Sequence, residues 1–68
     1  MSVIDRVPLW DQIAEVKREI EQRKRVYARL IDNGKLVKAE AERRMLTMAA
    51  VLQTLEEVRD ERGRDRAV

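Results

Sequence analysis

Residues 30–36 read LIDNGKL, which is the only strong turn signal between two long segments with helical periodicity. Asn33 and Gly34 tolerate a positive φ, and a glycine just past a helical run is the usual way in which a helix ends. If the chain reverses at this point, residues whose numbers sum to 67 or 68 face each other. The turn therefore predicts two antiparallel helices.

The segment before the turn has apolar residues at alternating spacings of four and three, which is typical of the seam of an antiparallel hairpin or coiled coil. These residues are Leu9, Ile13, Val16, Ile20, Tyr27 and Leu30. Asp5 can cap the start of a helix, and Pro8 is tolerated in a first turn. The pattern predicts helix 1 at about residues 8–32, followed by a turn at residues 33–36.

The segment after the turn repeats this seam and adds a second apolar row beside it. The seam contains Ala41, Met45, Met48, Leu52 and Leu55, and the added row contains Val51 and Val58. Gly63 is the next helix-ending signal. The pattern predicts helix 2 at about residues 37–62 and a frayed tail at residues 63–68. The fold class is therefore all-α, with residues 1–68 forming a single antiparallel two-helix hairpin.

The added row predicts an interface, because a two-helix hairpin covers only one side of each helix. We expect a homodimer that forms a four-helix bundle. Trp10 lies about 100° from the seam centre, and tryptophan is enriched at binding hot spots; the alternative is an indole folded over its own helix start. The expected dimer or partner interface contains Met48, Val51, Leu55, Val58 and Trp10.

The composition argues against catalysis and against cofactor or metal binding. The chain has 68 residues with no Cys and no His, and its 41% charged residues leave a net charge of only +2. Disulfides and the commonest metal ligand are therefore excluded, and no activated nucleophile or phosphate-binding loop is present. A small-molecule substrate is not expected. No apolar run approaches the length of a membrane span, and the N-terminus has no signal pattern, so we expect a cytoplasmic location.

A basic stripe on helix 1 favours an alternative function. Arg18, Arg25 and Arg29 fall on one line opposite the seam, and Lys17 and Lys24 flank them. Such a stripe can follow a phosphate backbone. The competing interpretation is a solvated face with Glu21–Arg25 and Glu19–Arg23 ion pairs at i,i+4.

Arg23 occupies a seam position and is expected to face Arg44 or Met45. Two arginines at the same level of the helix pair repel each other unless the carboxylate of an acid such as Glu19 or Glu40 lies close to them. Either the Arg23 stem lies over the core while its head meets water, or a polar layer sets the register or the choice of partner.

Several residues resemble a set of small, largely uncharacterised proteins of temperate phages and prophages. The shared pattern is R-x-R-V-Y at residues 23–27, G-K-L at 34–36, A-E-A at 39–41, then Arg44, Met48, Val51 and T-L at 54–55. The resemblance covers Glu19 to Leu55, with Ala28 where a proline often follows the tyrosine and Val37 where a threonine often precedes the second helix. It implies a phage origin and an accessory role, and it assigns no catalytic residue.

The sequence thus predicts a small non-catalytic helical interaction module, encoded by a phage, that binds a protein in the cytoplasm of the host cell and regulates it. One alternative is a nucleic-acid-binding hairpin dimer that uses the basic stripe. A second alternative is a structural or assembly protein of the virion.

Overall fold

The computed structural model of this chain describes residues 7–67, with side chains described for residues 7–63. Two helices follow each other along the chain, α1 at Leu9–Asp32 and α2 at Lys38–Ala67, and they pack against each other. Residues 7–67 contain no strand. The predicted all-α hairpin is therefore confirmed for the described part of the chain.

The turn closes through backbone hydrogen bonds around Gly34. Its φ is +72°, and it is the one residue between 7 and 67 with a positive φ. The N–H of Gly34 donates to the carbonyl of Ile31 at 3.0 Å, and the N–H of Lys35 donates to the carbonyl of Leu30 at 2.8 Å. These two bonds form a Schellman motif, which satisfies carbonyls that the end of a helix leaves unpaired. Asn33 keeps a negative φ of −85°, so glycine alone supplies the left-handed conformation.

Helix α1 begins without a side-chain cap. Pro8 is the N-cap of α1 and its carbonyl accepts the N–H groups of Asp11 and Gln12, while no side chain caps this end. The predicted capping residue, Asp5, lies outside the described residues. At the start of α2, the carbonyl of Val37 accepts the N–H of Ala41 at 3.1 Å. At both starts the carbonyl just before the helix accepts an ordinary helical hydrogen bond.

The predicted end of helix 2 at Gly63 is wrong, because α2 continues to Ala67. The tail predicted to be frayed is therefore helical as far as Ala67, and Val68 lies outside the described residues. A glycine inside a helix costs only about 1 kcal/mol relative to alanine, and it ends a helix only when it adopts a positive φ. Gly63 has no positive φ, unlike Gly34.

The pairing of the two helices is shifted by about two residues from the prediction. The connection at residues 33–37 is centred on Lys35, so facing residues have numbers that sum to about 70 rather than 67 or 68. A groove between the helices agrees with this value, since it is bounded by Ile31 and Lys38 at one end and by Lys17 and Leu52 at the other. The shift arises because the Schellman motif and the start of α2 lengthen the connection beyond Gly34.

The hairpin encloses little core. Ile13 on α1 and Ala41 on α2, each 5% exposed, are the two buried hydrophobic side chains among the described residues, and no large side chain is fully buried. The other seam residues are half-buried. A domain of this length is marginal even when it is compact. Most of each seam side chain is therefore already covered, and the large apolar side chains that are exposed among the described residues lie outside the seam.

Candidate functional site

An open apolar groove runs along one face of the hairpin between α1 and α2, and its volume is about 1010 Å³. Its apolar lining consists of Ile20, Tyr27, Ala28, Ile31, Ala41, Met45, Leu46, Ala49 and Leu52. Leu46 is 72% exposed, the largest value among the exposed large apolar side chains described. Ala28 and Ala49 are exposed and add little bulk to the lining.

The rim of the groove carries charges of both signs. They belong to Lys17, Glu21, Lys24, Lys38 and Glu42. Nζ of Lys24 lies 3.2 Å from Oε1 of Glu21 on the same helix, and Nζ of Lys17 lies 4.0 Å from Oε2 of Glu56 on α2. Lys17, Lys24 and Glu21 are largely exposed, whereas the side chain of Glu56 is 35% exposed. A rim of mixed sign around an apolar floor is the usual arrangement of a protein-binding surface.

The five residues predicted as an interface divide between two faces of the hairpin. Trp10 precedes Ala28 by 18 residues, which is five helical turns, so both lie on the groove side of α1. Val51 follows Ala49 by two residues, or about 200°, which places Val51 on the opposite side of α2 from the groove. Val51 is 42% exposed and Trp10 is 69% exposed, while Met48, Leu55 and Val58 are half-buried. Their role in an interface stays a prediction.

The sequence analysis did not single out the groove. Leu46 lies outside the seam of helix 2, and Ala28 and Ala49 are too small to stand out in an apolar pattern. The available signal was the position of Leu46 relative to Val51. They are five residues apart on one helix, which separates them by about 140° and leaves apolar residues on both sides of the seam.

Two arginines, one on each helix, pair with a glutamate of their own helix. Nε of Arg23 donates to Oε1 of Glu19 at 2.8 Å, and Nε of Arg44 donates to Oε1 of Glu40 at 3.0 Å. Each of these hydrogen bonds is the largest cause that raises the pKa of its arginine, and Tyr27 raises both values further. Each arginine therefore has a carboxylate of its own on the same helix, as the sequence analysis expected.

Glu40 is the most strongly perturbed acid of the described residues. It accepts hydrogen bonds from Arg43 and Arg44, with a distance of 3.0 Å from Nε of Arg43 to Oε2. These two hydrogen bonds lower the pKa of Glu40 from 4.5 to about 2. Glu40 also lies in the first turn of α2, where a negative charge is favourable to the helix. The arrangement holds the beginning of α2 and leaves the carboxylate ionised at neutral pH.

The basic stripe is exposed along its whole length, and part of its charge is neutralised. Arg18 pairs with Glu15 at 3.3 Å, and Lys17 and Lys24 have the glutamate partners described above. Of the two predicted i,i+4 pairs, Glu19–Arg23 is present, whereas Glu21 pairs with Lys24 rather than Arg25. Arg25 and Arg29 are exposed.

The described residues hold no group of three or more His, Cys, Asp or Glu side chains that could bind a metal ion. Neither helix, over the residues described, has the length and apolar character needed to cross a membrane. In comparisons with known proteins, no family model, no curated protein and no solved structure matches this chain.

Proposed function

We propose that this chain is a non-catalytic helical interaction module that works by binding proteins through its apolar groove. The observation that carries the proposal is the contrast between only two buried hydrophobic side chains among the described residues and a groove of about 1010 Å³ between the helices. Covering a Leu, Ile or Met side chain contributes about 1.5–3 kcal/mol. A partner that covers Leu46, which is 72% exposed, gains most of that amount at this side chain.

The assembly that we propose is a homodimer, a four-helix bundle in which two hairpins cover each other's groove, and the host protein binds to that bundle. The phage origin implied by the resemblance makes a bacterial host protein the target that this module regulates, within the host cytoplasm. The balanced surface charge, with 15 basic and 13 acidic residues, suits recognition of a protein better than recognition of a polyanion.

The test is affinity capture from a lysate of the bacterial host, with and without nuclease. The matched variants are Leu46→Lys, which places a charge in the groove, and Val37→Lys, which places one at a similarly exposed position outside the groove lining. We expect specific capture by the wild type and by Val37→Lys, resistance to nuclease, and loss of capture with Leu46→Lys. Equal capture by both variants would contradict a role for the groove.

Nucleic-acid binding is the second candidate, favoured by the exposed guanidinium groups of Arg25 and Arg29 on the side of α1 away from the seam. A phosphate-binding surface loses affinity steeply as the salt concentration rises. Titration of fluorescent single-stranded RNA and double-stranded DNA at two salt concentrations separates the two functions. Binding that weakens steeply between low and moderate salt would support the second candidate.

A further inference from the structure

We propose that Asn33 is a site of spontaneous modification by water, in which the backbone nitrogen of Gly34 displaces its side-chain amide, and that the closed turn restrains this reaction until the turn opens. Asn33 is the only asparagine of the chain, and a glycine follows it directly. Both residues are exposed. The modification belongs to the turn and is independent of what binds in the groove.

The reaction consumes water and releases ammonia. The backbone nitrogen of Gly34 loses its proton and bonds to Cγ of Asn33, while the bond from Cγ to the side-chain nitrogen breaks and that nitrogen takes up a proton and leaves as ammonia. Water then opens the resulting five-membered imide at one of its two carbonyls. Breaking the bond from the nitrogen to Cγ gives aspartate, and breaking the bond from the nitrogen to the main-chain carbonyl carbon gives isoaspartate. No group is oxidised or reduced.

The surroundings of Gly34 leave room for this reaction once the turn opens. A side chain at position 34 would crowd the approach of the backbone nitrogen to Cγ of Asn33, and glycine has none. A Cβ atom placed on Gly34 would meet nothing within 4 Å apart from its neighbours in the chain. Only the conformation of the turn therefore holds the reaction back.

The closed turn keeps the two reacting groups apart. Asn33 has a φ of −85° and a ψ of 1°, so the nitrogen of Gly34 is eclipsed with the backbone nitrogen of Asn33. The imide ring contains the nitrogen of Gly34 together with Cα, Cβ and Cγ of Asn33, and its closure requires that nitrogen to be eclipsed with Cβ instead. The chain must therefore rotate widely about the Cα–C bond of Asn33 before the two groups meet.

Backbone hydrogen bonds oppose that rotation. The N–H of Gly34, which must lose its proton, donates to the carbonyl of Ile31 at 3.0 Å, and the N–H of Lys35 donates to the carbonyl of Leu30 at 2.8 Å. A change in ψ of Asn33 carries both N–H groups away from their acceptors. The reaction therefore proceeds from molecules in which the turn has opened, and its rate is proportional to their population.

The isoaspartyl product cannot restore the turn. Its backbone is one carbon longer between Ile31 and Gly34, so the hydrogen bonds of the Schellman motif lose their geometry. The aspartyl product keeps the ordinary backbone but adds a negative charge beside Asp32 at the C-terminal end of α1, where the helix dipole disfavours it. The groove ends at Ile31 and Lys38, on the two sides of this turn. The modification therefore limits how long the hairpin keeps its groove.

Peptide mapping by mass spectrometry measures the rate in the full chain and in an end-capped peptide of residues 30–36, incubated side by side at mildly alkaline pH. We expect both to gain about one dalton at Asn33, with the full chain at least about tenfold slower because its turn is closed. Urea that unfolds the chain should bring its rate to that of the peptide. Asn33→Gln is the matched control, since its longer side chain would have to close a larger ring, and it should stay unmodified.

Amide hydrogen exchange, followed by NMR, tests whether the turn restrains the reaction. The same opening exposes the N–H of Gly34 to water, so folding should slow its exchange by the same factor by which folding slows the modification of Asn33. The proposal is overturned if the full chain reacts as fast as the peptide, if the two factors disagree, or if the peptide and the unfolded chain stay unmodified. The purified isoaspartyl chain should also melt below Asn33→Asp, which has the same charge on an ordinary backbone, and equal melting temperatures would contradict a broken turn.

Discussion

Lys17 and Glu56 join the two helices across the hairpin, with 4.0 Å between Nζ of Lys17 and Oε2 of Glu56. Because both groups are partly exposed, we expect a coupling free energy of about 0.2–1 kcal/mol in a double-mutant cycle of Lys17→Met and Glu56→Gln at low salt, declining at about 1 M salt. Thermal unfolding of the four proteins measures it. A cycle of Lys17 with Glu57 is the control, and equal coupling in both cycles would contradict this pairing of the helices.

Gly34 and Gly63 are expected to respond in opposite directions to the same substitution. A Cβ atom would meet nothing within 4 Å at either position, so only the backbone conformation matters. Gly34→Ala forces an alanine to a φ of +72° and should lower the free energy of unfolding by about 1–2 kcal/mol. Gly63→Ala improves a helical position and should raise it by about 0.5–1 kcal/mol. Urea unfolding measures both changes, and a loss at Gly63 would argue that α2 ends there.

Glu40 should make the stability of the hairpin depend on pH in the acidic range. Its pKa falls from 4.5 to about 2 in the folded chain, so its contribution to stability is complete above about pH 4.5 and is lost as the pH falls toward 2. An NMR titration of its side-chain carboxyl carbon should show this low value. Changing Arg43 and Arg44 to Gln removes both donors and should return the pKa toward 4.5. An unchanged pKa would mean that the two arginines are not its partners.

Local rules were sufficient to predict the hairpin and insufficient to predict which of its faces is functional. The positive φ at Gly34 and the seam spacing depend on residues close in the chain, so the turn and α1 followed from the sequence. Gly63 shows the limit of these rules, because the same residue type ends one helix and lies inside another. Its role depends on whether the following residues continue the helix.

The candidate groove depends on how the two helices face each other, and composition does not contain that information. Trp10 could be assigned to the groove side only because Ala28 lines the groove and lies 18 residues, or five helical turns, further along α1. The connection at residues 33–37 also shifted the pairing by about two residues, which changes the neighbours of every side chain along the seam. These relationships arise from packing, and only a three-dimensional structure provides them.

The basic stripe is expected to be dispensable for folding. Arg18, Arg25 and Arg29 are exposed, and the Arg18–Glu15 contact is a surface pair within one helix. Changing all three to Gln should leave the circular dichroism spectrum unchanged and alter the free energy of unfolding by less than about 1 kcal/mol. Capture of the protein partner should also survive. Loss of function together with loss of a salt-dependent RNA or DNA complex would instead assign the stripe to nucleic acid.

Lysine substitutions on the two sides of α2 distinguish the groove from the apolar row predicted from the sequence. Leu46 is 72% exposed on the groove side and Val51 is 42% exposed on the other, so a lysine at either position reaches water in the isolated hairpin. In the dimer that we propose, the charge at position 46 enters a dehydrated interface, while the charge at position 51 stays in solvent. Leu46→Lys should therefore dissociate the dimer at micromolar concentration, and Val51→Lys should leave its mass near 16 kDa, twice the 8.0 kDa of one chain. The reverse result would assign the interface to the row that contains Val51 and Val58, and would leave the groove for a different protein.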